Sequence, residues 1–177
     1  MDRYSKITSK NAREIVLLKS RPCTWGRCFF CDYIFDNTNN KEEMIKLNRD
    51  VLENVTGEFK KLEVINSASV FQLPMESLVH IKDIVESKNI EVLYFESHYM
   101  YKARLDEIRN FFPNTKIIFK CGIETFDNDF RENYLKKGAN FTSFEEVKKH
   151  FESICLLVGI KGQTKDMIRR DIDILIN

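Results

Sequence analysis

Three of the chain's five cysteines, Cys23, Cys28 and Cys31, fall close together with the spacing C-x4-C-x2-C. Thiolates at that density are soft ligands and select zinc or iron–sulfur chemistry. A structural zinc site is normally closed by four protein ligands, and a simple cubane cluster also takes four cysteines. Only three are local here. A cubane held by three thiolates leaves one iron open for a small ligand, which is what a catalytic cluster requires. Two further chemistries remain open at this point. Cys28-Phe-Phe-Cys31 alone has the spacing of a thioredoxin-like redox pair, and Cys121, Cys155 or one of the three histidines could complete a closed zinc site. An odd, clustered set of cysteines argues against a disulfide framework. Trp25 and the pair Phe29-Phe30 would shield a bound centre from water and oxygen.

Elements that can position this motif alternate along the whole chain. Glu14 to Lys19 reads as a buried strand running straight into the cysteines. Lys41 to Phe59 carries Met44, Leu47, Val51, Leu52 and Val55 at helical spacing. Leu62 to Ile65 is a second strand, and Pro74 opens the helix that follows it. The alternation recurs in Val92 to Phe95 with Lys102 to Phe112, and in Lys116 to Lys120 with Asn128 to Lys137. After an extra helix at Ser143 to Phe151, a fifth round pairs Ile154 to Val158 with Thr164 to Ile176. Continuously apolar strands joined by helices imply a parallel α/β sheet, whose ligands bind at the C-terminal strand ends. Polar residues gather just there, at Asn66 to Ser69, Glu96 to His98, Glu124 to Asp127 and Gly159 to Gln163.

Composition narrows the partners. With 43% hydrophobic and 31% charged residues but only 6 Gly and 3 Pro, the chain is a packed globule, expected to form one domain over residues 1–177. Lys and Arg total 28 against 27 Asp and Glu, a net charge of +1, so no global basic field is available to hold a polyanion. The basic pairs Lys60-Lys61, Lys136-Lys137, Lys148-Lys149 and Arg169-Arg170 read as solvated surface. The longest apolar run, Ile154 to Ile160, falls far short of the roughly 20 residues of a membrane span. The first ten residues lack the apolar core of a secretory signal, so a cytoplasmic location is expected. Neither GxGxxG nor GxxxxGK[ST] occurs, which leaves nicotinamide and P-loop nucleotide readings without support.

A strand followed by Arg21-Pro-Cys23-Thr-Trp-Gly-Arg-Cys28-Phe-Phe-Cys31-Asp-Tyr33 resembles the cluster loop of the radical S-adenosylmethionine (SAM) superfamily, with one residue more than its commonest C-x3-C-x2-C spacing. Asn66-Ser-Ala-Ser-Val-Phe71 resembles that family's loop after strand two, which meets the SAM amino group. Phe95-Glu-Ser97, Gly122-Ile-Glu-Thr125 and Gly159-Ile-Lys-Gly162 resemble the motifs closing strands three to five. Together these are similar to the elongator-like and archaeosine-synthase-like branch, which handles modified nucleobases.

The resemblance implies a partial (βα) barrel of five to six parallel strands. It implies a [4Fe-4S] cluster on Cys23, Cys28 and Cys31, with SAM chelating the fourth iron through its amino and carboxylate groups. Phe30, Ser67, Ser69, Glu96 and Glu124 match positions that contact SAM. Asp32, Tyr33, Asp36 and His98 are the candidates for reading substrate, with Glu96 able to face either SAM or a guanine-like N–H edge. The implied activity is a lyase that cleaves the carbon–nitrogen bond of queuine or a related 7-deazaguanine, fed electrons by a donor such as flavodoxin or ferredoxin. An enzyme of the same branch acting on a tRNA base, and a non-enzymatic zinc or iron–sulfur module, are the alternatives.

Overall fold

Branched and aromatic residues dominate five short runs, and each run becomes a parallel strand. The computed structural model describes residues 2–176. Its sheet keeps sequence order: β1 (Tyr4–Ile7), β2 (Arg13–Leu18), β3 (Lys61–Asn66), β4 (Val92–Glu96), β5 (Lys116–Glu124) and β6 (Ser153–Leu156). Strands β2 to β6 are parallel, and β1 folds back antiparallel on β2. Sequential parallel strands joined by right-handed crossovers place their helices on one face and curl the sheet toward a barrel. Those helices are α1 (Lys41–Leu52), α2 (Met75–Ser87), α3 (Leu105–Phe111), α4 (Phe144–Lys148) and α5 (Lys165–Ile176).

Alternation along each strand divides the side chains between two environments. Val16, Leu18, Leu62, Val64, Leu93, Phe95, Phe119 and Cys121 pack outward into a core completed by helix residues such as Leu52, Ile81, Val85 and Leu105. The opposite parity turns Arg13, Glu63, Glu96 and Lys120 to the inner wall, where three ion-pair contacts join them. No described helix is long and apolar enough to cross a membrane.

The rim at the start of the strands is closed by one carboxylate. Glu14 is fully buried and accepts from the Tyr4 hydroxyl at 2.7 Å, the Thr56 amide at 2.7 Å and the Gly57 amide at 2.7 Å. Burial alone would raise its pKa, but these donors outweigh it and hold the carboxyl below the usual range.

Several elements differ from the sequence reading, each for a local reason. The helix expected to reach Phe59 stops at Leu52, where the Asn54 amide donates to the carbonyls of Asp50 and Val51 and the chain turns to deliver Thr56 and Gly57 to Glu14. The segment Asn128 to Lys137 holds one π-helical turn, Phe130–Tyr134, because the buried Arg131 draws the carbonyls of Thr125 and Phe141 to its guanidinium. Ahead of α3, Tyr99–Arg104 is a 3-10 helix. The strand β1 escaped notice because its four residues are only partly buried and carry no apolar run. It makes the sheet one of five parallel strands plus one antiparallel strand.

Candidate active site at the open end of the partial barrel

The cysteine loop leaves β2 at Leu18 and returns at α1, and its path is fixed by a few contacts. Ser20 pairs with Asn37 across the base of the loop. Gly26 takes a positive φ of 59° with Cys23 O close by, a turn that accommodates the extra residue between the first two cysteines. The Cys31 amide donates to Cys28 O at 3.3 Å, and the 3-10 turn Asp32–Phe35 follows. All three thiols are free and half-buried. Burial pushes Cys28 up to about 11, with Cys31 and Cys23 also raising it, so the three sulfurs lie within electrostatic reach of one another.

The ligand set is three free, half-buried cysteines on one loop, thiolates of the kind a cubane takes. Among the described residues no three His, Cys, Asp or Glu side chains are gathered tightly enough to hold one metal ion. Tetrahedral zinc at a Zn–S distance of about 2.3 Å requires sulfurs about 3.8 Å apart. A cubane spreads its thiolates around a wider body. Cys121, a candidate fourth ligand, is buried in the outward core, and burial pushes it up to about 12.

Trp25, inside the cysteine loop, latches that loop to two others. Its indole donates to Lys136 O at 2.7 Å and stacks on His98 with ring centroids 6.1 Å apart. Gly138, at φ +65°, makes room for the indole: a Cβ there would lie 2.1 Å from Trp25 Cζ2. Replacing Gly138 by alanine combines that overlap with a left-handed backbone, and should destabilise the metal-free chain by about 2 kcal/mol. Urea unfolding measures the loss, and the fluorescence of Trp25, the single tryptophan, reports its displacement.

His98 carries the other half of the latch. Its Nδ1 accepts from the Met100 amide at 3.2 Å, which leaves Nε2 to donate to Lys137 O at 2.8 Å. Burial, followed by the nearby Lys137 charge, lowers its pKa from 6.5 to about 4. Because the unfolded ring takes its proton first, this histidine stabilises the fold fully above pH 6.5, and that stability is lost as pH falls toward 4. The loss should reach at most about 3 kcal/mol, seen as a falling urea midpoint whose slope is reduced in His98→Gln.

Glu124 ends β5 in a left-handed conformation, φ 67°, after a bulge at Gly122. Such strain in a non-glycine residue costs about 1–3 kcal/mol and is commonly retained at functional sites. Its carboxylate accepts from Lys137 Nζ at 2.8 Å, and both side chains are buried. Gly122 permits this, since a Cβ there would meet Glu124 Oε1 at 2.6 Å. Burial pulls Lys137 down, but Glu124 and then Cys28 outweigh it and leave its pKa raised. The ammonium also lies 5.8 Å from the centroid of the Phe30 ring. Lys137 is therefore no solvated surface residue, contrary to the sequence reading.

The remaining candidates separate. Ser67 is buried and pairs with the Ser20 amide and hydroxyl, each at 3.1 Å, joining the cysteine loop to the loop after β3. Ser69 donates to the Ser97 hydroxyl at 3.1 Å. Beside them Asn66 Oδ1 is buried with no hydrogen-bond partner, an open acceptor suited to an amino group. Tyr33 is half exposed, yet desolvation of its phenol and then the Glu96 carboxylate raise its pKa, so it leans over the inner wall. Glu96 lies at the mouth, raised chiefly by burial. Asp32 is exposed on its turn. Asp36 is held by Arg3, with one carboxylate oxygen left buried and unpaired.

Sequence reasoning missed Lys120 and Glu63. Lys120 hydrogen-bonds to Glu63, which is 1% exposed and also takes Arg13. Burial would raise Glu63, but these cations keep its pKa below the usual range. The available signal was a charge at alternate positions inside otherwise apolar strands.

The loops that leave β2, β3, β4 and β5 at their C-terminal ends thus contribute to one rim around the cysteines. No family model matches the sequence, and the search of curated proteins returns no match. Among solved structures, the chain is similar to queuine lyase from Clostridium spiroforme bound to SAM and queuine, at 51% identity and a TM-score of 0.96. The match covers 100% of this chain and 76% of that one. The chain belongs to the queuine lyase family. It is a radical SAM enzyme with that family's partial barrel, and its three-cysteine loop, orphaned Asn66 acceptor and strained Glu124 belong to the same rim.

Proposed function

We propose that this chain binds SAM and queuine at the open end of its partial barrel. It breaks the carbon–nitrogen bond between the cyclopentenediol and 7-aminomethyl-7-deazaguanine, releasing that base. The observation that carries this reading is full-length similarity, at 51% identity and a TM-score of 0.96, to a queuine lyase holding both molecules. Cys23, Cys28 and Cys31 are the thiolates that would hold a [4Fe-4S] cluster, and none of them is committed to another bond. Bound there, the cluster would supply the electron that splits SAM into methionine and a 5'-deoxyadenosyl radical.

The protein's own task is positioning and exclusion of water. Phe30 packs beside SAM's adenine, under the Lys137 ammonium. Asn66 Oδ1 and Ser69 accept from the SAM amino group, while Ser67 keeps the cysteine loop docked through Ser20. Glu124, charge-balanced by Lys137, accepts from ribose hydroxyls without leaving an uncompensated buried charge. Tyr33 and Asp32 follow the third cysteine at the substrate side, with Asp36 anchored behind them by Arg3. His98 acts by fixing the loop that carries Lys137.

A net charge of +1 favours a free base over a whole tRNA as substrate. Five free cysteines suit a reducing cytoplasm, where a flavodoxin or ferredoxin can deliver electrons to the single domain formed by these 177 residues. The test is anaerobic reconstitution with iron and sulfide, followed by SAM, reductant and queuine. 5'-Deoxyadenosine and 7-aminomethyl-7-deazaguanine should form together, and absence of both with every 7-deazaguanine tried rejects the reading.

A further inference from the structure

Glu96 and Lys120 are direct partners in the register of β4 and β5, and both point to the inner wall because Phe95 and Phe119 occupy the outward parity. Their charged ends lie side by side, Lys120 Nζ 3.7 Å from Glu96 Oε1. The two carboxylates on this wall are in opposite situations. Glu63 is saturated by Arg13 and Lys120. The carboxylate of Glu96, at the last position of its strand, accepts no hydrogen bond from a described residue, and the side chain is 29% exposed at the mouth.

We propose that Glu96 and Lys120 together read the hydrogen-bonding edge of the deazaguanine ring. The carboxylate accepts from the ring N1–H and the exocyclic 2-amino group, and the ammonium donates to the neighbouring exocyclic carbonyl oxygen. This rests on the reading of the chain as a queuine lyase.

With the SAM amino group and ribose hydroxyls met by Asn66, Ser69 and Glu124, the remaining edges separate substrate from cofactor. A 2-amino-4-oxo pyrimidine presents two adjacent donors and then an acceptor, which is the complement of a carboxylate beside an ammonium. The adenine of SAM places an acceptor nitrogen next to its amino group, so a carboxylate spanning that edge would set one oxygen against a lone pair. The SAM carboxylate would be repelled by Glu96. Arg13, Lys120, Glu63 and Glu96 carry two charges of each sign, so the wall as a whole suits a neutral base. Lys120 is held in place from below by Glu63, which fixes the donor before the base arrives.

The test compares the reconstituted wild-type enzyme with Glu96→Gln, and queuine with an analogue lacking the 2-amino group. Glutamine keeps one acceptor but turns an N–H toward the ring's donors, so KM for queuine should rise about tenfold or more. The dissociation constant for SAM should stay as in the wild type. Wild-type enzyme should prefer queuine over the 2-desamino base by about 100-fold in kcat/KM, a preference that shrinks in the variant. An unchanged KM, or weakened SAM binding with KM unchanged, overturns the inference. Equal kcat/KM for the two bases on the wild-type chain also overturns it, whatever the folding of the variant. Wild-type enzyme that leaves queuine intact overturns the functional reading and this inference with it.

Discussion

Replacing Cys28 by alanine is expected to abolish formation of 5'-deoxyadenosine while leaving the metal-free protein folded. The thiol is half-buried and, with its pKa pushed up to about 11 by desolvation, is uncharged when no metal is bound. It makes no side-chain hydrogen bond to a described residue, so its loss removes little from the apoprotein beyond a small buried volume. A cubane held by two thiolates no longer has the single vacant iron that SAM requires, and activity should fall by at least about a thousandfold. Iron content and the visible absorption of the reconstituted protein measure cluster loss, and circular dichroism of the apoprotein measures folding. A structural metal site behaves in the opposite way, since its binding energy is folding energy. Coincident loss of iron and of secondary structure would therefore select the structural alternative.

Arg131→Met should cost about 4 kcal/mol of stability, more than Gly138→Ala. The guanidinium is fully buried, donates to Thr125 O at 3.1 Å, Phe141 O at 2.7 Å and Glu132 Oε1 at 2.7 Å, and also binds Asn128. It sits 3.6 Å from the centroid of the Phe141 ring, so methionine can fill part of the volume but satisfies none of the acceptors. The Arg131 carbonyl also takes the Lys137 amide at 3.0 Å. Slackening this turn should release Lys137 from Glu124 and Lys136 from Trp25, raising the dissociation constant for SAM in whatever fraction remains folded. Urea unfolding of the apoprotein gives the first quantity, and isothermal titration with SAM on the reconstituted variant gives the second.

The parallel strands were legible because burial on both faces demands unbroken apolar runs, as in Val92 to Phe95. The cysteine spacing was legible because it is local in sequence. What the sequence concealed was set by contacts between distant segments. Lys137 resembles any surface lysine in a Lys-Lys pair until Glu124, thirteen positions earlier, is brought against it. Lys120 was read as the end of a strand that in fact continues to Glu124, and only the strand register shows it beside Glu96. The π-helical turn at Phe130–Tyr134 was hidden for a related reason, since an arginine at position 131 gives no local sign that it will be entirely buried. Residues whose role depends on a single covalent neighbourhood were read from sequence. Lys137, Lys120 and Arg131, whose partners come from distant segments, were not.

The Glu14 clamp sits at the starting rim of the strands, and Cys23, Glu96 and Glu124 sit at or beyond their finishing rim. One buried clamp is therefore lodged at the pole opposite the chemistry, apart from the contacts of Arg131, His98 and Trp25 that brace the mouth itself. Substitutions confined to the loops around the mouth leave that clamp's hydrogen bonds untouched, so the base-reading wall can be altered while the starting rim stays closed.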